Sequence, residues 1–469
     1  MPDKVAKHVL FEQLPPEWND DPFPAIQSAV RASNTKVFVL DDDPTGTQTV
    51  HGIPVLTEWT TEALRAELEN DLPACYILTN SRSVTLDAAR AINTEIGKRL
   101  AAAAQAANRP IAVISRSDST LRGHFPGEVD ALAEALGYDA DAWIIAPYFL
   151  AGGRYTINNV HYVAEGEWLV PAGETEFARD AAFGYRASDL REWVAEKTEG
   201  RISADSVAAV SLEDIRIGGP QRVTERLLAL PRGSVCIVNA ASDTDLAVFV
   251  QGLLAAEAQG KRYIYRTAAS FVALRAGIAA RPLLGPADLN LSNQGGGLIV
   301  VGSYVPKSSG QVAALLERPD LAAIEVDVRA LLDDDRQASA IAEAAAQADR
   351  TLAQGGDVMV YTSRQLVTGD DAASSLAIGQ RISESLVAIV RAINERPRYL
   401  IAKGGITSSD VATKGLNVKR ALVLGQILPG VPLWQLGPES RHPGMPYIVF
   451  PGNVGGPTAI ADVVAMLKR

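Results

Sequence analysis

The sequence predicts an α/β protein of two domains, each with a mostly parallel sheet flanked by helices. Three observations lead there. At 469 residues the chain exceeds what one ordinary core holds. Short apolar, β-branched runs alternate with amphipathic helical stretches, the rhythm of α/β layering. A polar, turn-rich break over 284–297 interrupts that rhythm, which then restarts. The first domain is therefore placed at 37–290, after an N-terminal extension over 1–36, and the second at 297–469.

In the first domain the strand candidates are 37–40, 75–78, 111–115, 143–146, 235–239 and 263–265. Helical windows lie between them at 61–69, 86–106 and 127–136. From 151 to 217 the pattern loses regularity, as an insertion or a strand-rich lobe would. In the second domain strands are expected at 298–302, 322–328, 357–362, 398–402 and 433–435, with helices over 338–353 and 374–394. The extension reads as a helical or irregular arm without a signal-peptide core.

Composition excludes several classes. Hydrophobic residues make up 47% and charged residues 21%, the balance of a soluble globular protein. A net charge of -11 argues against a nucleic-acid partner, which needs a basic stripe. Phosphate ligands remain open, because a few local donors suffice. Only Cys75 and Cys236 occur, both in apolar runs, so reduced thiols in a cytoplasmic protein are expected. No segment approaches the apolar length of a membrane helix. The histidines show no metal spacing, so no metal ligand is assigned. A homodimer is a common state for soluble enzymes of this size.

Chemistry concentrates after the first-domain strands. Strand 37–40 runs into Asp41, Asp42 and Asp43, then Pro44, Thr45 and Gly46. Consecutive carboxylates repel one another, so their place at a strand end points to a bound metal, a base or a polyhydroxylated ligand. Strand 111–115 runs into Arg116, Ser117, Asp118, Ser119, Thr120, Leu121, Arg122 and Gly123. Either arginine can grip a carboxylate or phosphate with two parallel bonds, which a lysine cannot. Ser81 and Arg82 follow strand 75–78, and Arg154 follows the fourth strand, as further anion contacts. The second domain has glycine turns instead: Gly302-Ser303, Gly404-Gly405-Ile406-Thr407 and Gly452-Asn453. Such turns expose main-chain N–H groups to phosphate oxygens. None matches the Walker or dinucleotide fingerprints, yet together they favour a nucleotide. Acids and arginines in one domain with phosphate cradles in the other are what a small-molecule kinase requires.

These motifs resemble the four-carbon acid sugar kinase family. Asp42-Asp43-Pro44-Thr45-Gly46 matches its D-D-x-T-G element, and Ser119-Thr120-Leu121-Arg122-Gly123 its S-T-x-R-G element. Gly153-Arg154-Tyr155-Thr156 approximates a G-R-T segment. Gly302-Ser303, Gly404-Gly405-Ile406-Thr407 and Pro451-Gly452-Asn453-Val454-Gly455 match elements of its nucleotide domain. Asp41 and Thr49 depart from the usual pattern. The resemblance implies ATP-dependent phosphorylation of the terminal hydroxyl of a four-carbon sugar acid such as threonate, erythronate or 3-oxo-tetronate. On that reading Asp43, or failing that Asp42, receives or orients the acceptor proton. Arg122 and Arg116 hold the acceptor carboxylate, in a pocket completed by Asp118, Ser119, Thr120, Ser81, Arg82 and Arg154. Ser303, Gly404, Gly405, Ile406, Thr407, Gly452 and Asn453 line the ATP site, with Mg2+ between phosphates and an unassigned acid.

Two rival readings use the same residues. Asp41 and Asp43 fit the D-x-D-x-T nucleophile motif of haloacid-dehalogenase-like phosphatases, with Gly369-Asp370-Asp371 as a later acidic motif. A non-catalytic sugar-acid-binding protein would explain the arginines but leave the glycine turns idle.

Overall fold

The computed structural model describes residues 4–137, 139–292, 294–303, 305–364, 367 and 372–468. It separates into two compact units. Met1–Asp42 and Glu58–Ala280 form the first; Asp43–Thr57 and Arg281–Arg469 form the second. The division differs from the expected 37–290 and 297–469. The extension belongs with the first unit, while residues 43–57 and 281–290 belong with the second.

In the first unit the main sheet runs Ala208–Val210, Ser234–Val238, Ala142–Ala146, Tyr263–Thr267, Ile111–Arg116, Lys36–Asp41, Ala74–Leu78. Every pairing among these strands is parallel. Lys36–Asp41, Ala74–Leu78 and Tyr263–Thr267 are buried along their whole length, which is why they read as continuous apolar runs rather than alternating ones. The helices begin where short polar side chains cap them. Thr60 accepts from the Ala63 amide ahead of Thr61–Glu69, and Thr85 accepts from the Ala88 amide ahead of Leu86–Ala107. Left-handed Asn108 and Gly137 end Leu86–Ala107 and Gly127–Leu136. One core cluster gathers Leu121, Phe125, Ile145, Trp193 and Ile237, with Phe125 stacked on Trp193 at 4.7 Å between ring centroids.

The irregular stretch after residue 151 contains a small antiparallel sheet. Its order is Val5–Ala6, Trp168–Pro171, Val160–Glu165, Arg154–Ile157, so the N-terminal arm supplies an edge strand. Helix Phe23–Ser33 then buries Ile26 and Val30.

In the second unit the sheet runs Ile53–Leu56, Arg420–Leu428, Val431–Leu436, Pro446–Phe450, Leu400–Lys403, Leu298–Val301, Asp357–Thr362, Leu321–Val326. Pairing is antiparallel as far as Pro446–Phe450 and parallel beyond it. The expected strand 322–328 stops at Val326, because the Asp327 side chain caps the following helix Val328–Leu332. Residues 43–57 join this unit through strand pairing of Ile53 with Val423, and through a 3.0 Å bond from Trp434 Nε1 to Thr47 Oγ1. No helix of the described residues is long and apolar enough to cross a membrane.

Arg216 anchors the arm to the first unit. It grips the fully buried Asp245 with two bonds of 2.7 and 2.8 Å, and donates to the Pro15 carbonyl at 2.8 Å. Removing one member of a buried pair strands the other, at a cost of about 3–5 kcal/mol. Asp245→Ala should therefore lower the stability of this unit by roughly that amount in chemical denaturation. A loss under about 1 kcal/mol would show that the pair is not what holds this corner.

Candidate active site

Four neighbouring parallel strands of the first unit, Ala74–Leu78, Lys36–Asp41, Ile111–Arg116 and Tyr263–Thr267, end on one edge of the sheet. Ligands of open α/β sheets collect outside such carboxyl ends. Asp41 and Asp42 are 1% and 3% exposed. Arg116 Nη1 lies 3.1 Å from Asp41 Oδ1 and 3.8 Å from Asp42 Oδ1. Ser117 Oγ donates to Asp42 Oδ2 at 2.7 Å, and Arg82 Nη2 approaches Asp42 Oδ1 at 3.5 Å. The neighbouring acids are therefore tolerated in a buried place by guanidinium charge and a hydroxyl donor.

The turn after Arg116 is shaped around Asp118. Arg122 Nε donates to Asp118 Oδ2 at 2.7 Å, Thr120 Oγ1 donates to the same oxygen, and Arg82 Nη1 lies 3.7 Å from Oδ1. Burial alone would raise this carboxyl, but Arg122 and Arg82 hold it well below the usual carboxylate range. Leu121 adopts φ 68°, a sparsely populated region for a leucine, and strain of this kind clusters at ligand sites. Gly123 at φ 124° must be glycine, since a Cβ there would lie 2.6 Å from Ser117 Oγ and 3.3 Å from Asp42 Oδ2.

The expected residues divide by what remains to them. Arg116 is only 6% exposed at its side chain and faces the two acids, so it orients carboxylates of the protein itself. Arg82 and Arg122 keep 17% and 25% of their side chains in solvent and retain surface for a ligand. Arg122 and Arg154 both lie over the Phe177 ring, at 5.2 and 5.4 Å from its centroid. Ser81 is fully buried, Ser119 presents its carbonyl to the buried His161, and the Thr120 carbonyl accepts from Tyr185; these residues shape the turn from inside.

Sequence reasoning gave Ser117 and Glu128 no individual role, and missed Asp180, Phe177 and Arg266. Arg266 carried a readable signal, a basic residue at the end of an apolar strand, as Arg116 is. It donates to the Arg122 carbonyl at 3.1 Å. Asp180 lies 3.5 Å from Arg122 Nη1. Phe177 carried no signal at all.

The second unit gathers the glycine turns. Leu298–Val301, Leu400–Lys403 and Pro446–Phe450 are adjacent parallel strands, and each runs into one of the turns. Ser308 Oγ bonds Ser303 Oγ at 3.0 Å and the Gly452 carbonyl at 3.1 Å. Arg364 donates to the Ser303 carbonyl at 2.7 Å, and Lys307 to the Asn453 carbonyl at 3.1 Å. Thr407 is buried, while Ile406 is 52% exposed. Asp43 lies in this unit. Its Oδ1 accepts from the Thr45 amide at 2.8 Å and from Thr45 Oγ1. A Cβ on Gly405 would come within 2.7 Å of Asp43 Oδ2, so glycine there is what admits the carboxylate against the turn.

Among the described residues no group of three or more His, Cys, Asp or Glu side chains could hold a metal ion. Gly369-Asp370-Asp371, the later acidic motif of the phosphatase reading, lies outside the described residues.

Glu128, at the start of helix Gly127–Leu136, is 5% exposed and accepts from Asn93 Nδ2 at 3.1 Å. Burial first, and the Asp42 charge second, raise its carboxyl above the ordinary value. A raised carboxyl favours the folded state while protonated, and that contribution is lost as pH rises through the folded value. Glu128→Gln keeps the shape and removes the charge. Its melting temperature should gain on the parent as pH rises from about 4 to 8, by about 2–4 °C for each kcal/mol involved. A gap that stays flat across that range would mean Glu128 titrates normally.

Three comparisons bear on this architecture. Residues 37–275 match a family model described as a sugar-binding N-terminal domain, and residues 298–460 one described as a nucleotide-binding C-terminal domain. The D-erythronate kinase of Heliobacterium modesticaldum is 27% identical over 329 residues, covering 66% of this chain and 69% of the relative. The D-threonate kinase of Bordetella bronchiseptica is 26% identical over 430 residues, covering 89% of this chain and 94% of the relative. A crystal structure of a Haemophilus influenzae protein shares the fold, with a TM-score of 0.62 at 19% identity over 92% of this chain and 100% of that one. With the first family model spanning over half its length, and the second following in order, the chain belongs to the four-carbon acid sugar kinase family.

Proposed function

We propose that this protein is an ATP-dependent kinase that phosphorylates the terminal hydroxyl of a four-carbon sugar acid of the threonate, erythronate or 3-oxo-tetronate type. The observation that carries the reading is the Asp42, Asp118, Arg82 and Arg122 cluster in the part of the chain matching a sugar-binding domain. Its carboxylates suit hydroxyls, and its part-exposed guanidinium groups suit an acid. Glycine turns with hydroxyl and cationic neighbours, in the part matching a nucleotide-binding domain, supply the donor side.

The acceptor carboxylate lies against Arg122 and Arg82, with Arg154 beside them, while Arg116 keeps Asp41 and Asp42 in place. Asp43, with Asp42 as the alternative, orients the acceptor hydroxyl and receives its proton. Loose phosphoryl transfer demands little basicity, so orientation is the larger part of this role. Ser303, Gly404, Gly405, Ile406, Thr407, Gly452 and Asn453 line the nucleotide. Mg2+ would arrive with the triphosphate, drawing its oxygen ligands largely from phosphate and water and neutralising phosphate charge there. A phosphatase is disfavoured, because Asp41, its nucleophile, is 1% exposed and bonded to Arg116 at 3.1 Å.

A coupled ADP-release assay across four-carbon sugar acids tests the reading: turnover should require both ATP and one such acid. Release of ADP that ignores the acid, or phosphoester hydrolysis without ATP, overturns it. Asp43→Asn should lower kcat on the order of 10²-fold while nucleotide still binds. Undiminished turnover removes Asp43 from the mechanism. Arg122→Ala should raise the acid KM about tenfold or more and leave the ATP KM nearly unchanged, as expected for a lost charged hydrogen bond. Equal effects on both would contradict the assignment.

A further inference from the structure

Lys403 ends the buried strand Leu400–Lys403 and is itself 0% exposed. Its ammonium donates to the Pro451 carbonyl at 2.6 Å and lies 4.4 Å from the centroid of the Phe450 ring. Among the described residues no carboxylate pairs with it. Lys36, equally buried in the first unit, shows how this fold normally treats such a group. It donates to Asn70 Oδ1 and the Leu72 carbonyl, both at 2.8 Å, with Glu67 at 4.0 Å. A buried ammonium without an anion is unfavourable, so Lys403 stands as a cation whose counter-charge is missing.

The surroundings add positive charge rather than remove it. Lys307, on helix Pro306–Leu316, is exposed and donates to the Asn453 carbonyl. Asp410, on helix Gly405–Asp410, is committed to Lys414 at 2.9 Å and to Ser383 Oγ at 2.6 Å. Tyr447, on the neighbouring strand, donates to the Ser408 carbonyl at 2.6 Å, and Arg364 donates to the Ser303 carbonyl. Asp43 lies against Gly405, in the turn that follows Lys403. Lys403 and Lys307 thus reach two carbonyls of one glycine turn, Pro451 and Asn453.

We propose that Lys403 is a positioning residue of the nucleotide site, holding the Pro451-Gly452-Asn453 turn and taking up a proton when the polyphosphate supplies the negative charge it lacks. The inference rests on the proposed function and deepens it. Burial first, and Lys307 second, push the free-protein value of Lys403 down to about 7. A bound polyanion favours the charged form, so nucleotide affinity carries a contribution that is full below that value and is lost as pH rises above it.

Calorimetry of the full chain with a non-hydrolysable ATP analogue, from pH 6 to 9 in two buffers of different ionisation heat, tests this. The parent should take up a fraction of a proton per nucleotide near pH 8, beyond the analogue's own titration. Its affinity should fall by up to about tenfold per pH unit above 7. Lys403→Met should bind about tenfold more weakly at low pH, lose the extra proton uptake and show a flatter profile. Lys307→Gln, a surface change that does not threaten the fold, should weaken binding yet move the midpoint of the profile to higher pH, because a repelling charge is gone. The inference is overturned if Lys403→Met keeps the parent's proton uptake and slope, or if Lys307→Gln leaves the midpoint in place or lowers it. Should Lys403→Met fail to fold, the Lys307→Gln midpoint decides alone. Absence of nucleotide binding in the parent would instead sink the proposed function.

Discussion

Carboxylates at a sheet edge remain ionised in a buried setting only where positive charge is buried with them, and the first unit is arranged around that requirement. Asp42 is the centre. Ser117 donates to one of its oxygens, and Arg116 and Arg82 lie near the other. Because these partners come from the ends of separate strands, their position depends on the parallel register that pairs Asp41 with both Leu78 and Arg116. A slip of one residue would turn every one of these side chains to the opposite face. The sheet's pairing and the site's charge balance are thus one constraint seen at two scales.

The second unit meets a different demand. Its turns follow adjacent parallel strands whose buried residues are almost all apolar, and the polar groups it gathers are main-chain amides, Ser303, Ser308 and lysines. Neighbours in sequence are divided between these regimes. Asp42 belongs to the first unit and Asp43 to the second, where Thr45 orients it beside Gly405. An acidic run that looks uniform in the sequence therefore consists of residues with separate surroundings.

What could be read from the sequence follows the range of the forces involved. Helices Thr61–Glu69 and Gly127–Leu136 were legible to the residue, since caps and periodicity are local. Buried parallel strands such as Asp357–Thr362 were legible as short apolar runs. Strand Arg420–Leu428 was missed because its residues alternate between buried and half-buried, and its partner Ile53–Leu56 lies far away in sequence. That same pairing carries residues 43–57 into the second unit, which no local pattern announces. At the site, acids and arginines after strands were legible as a class. Which arginine faces solvent and which one braces an acid depended on packing, and Arg116 shows it. Lys403 was given no role, because nothing local says that a lysine at a strand end is sealed, as here, by the Phe450 ring and the Pro451 carbonyl.

The choice of cation in each unit is itself a physical argument. Where acids must stay charged, the first unit uses arginine, whose guanidinium keeps its proton under any working condition and forks onto carboxylates. At position 403, where no carboxylate among the described residues pairs with the cation, the second unit buries a lysine, which can give up its proton when isolated and regain it when an anion arrives. An arginine at position 403 would hold a permanent charge facing only a carbonyl and a ring, and a lysine at position 116 would leave Asp41 and Asp42 sharing one compact donor group. On the proposed function, fixed charge suits a surface that grips an acceptor acid, and exchangeable charge suits a turn that is empty and filled in alternation.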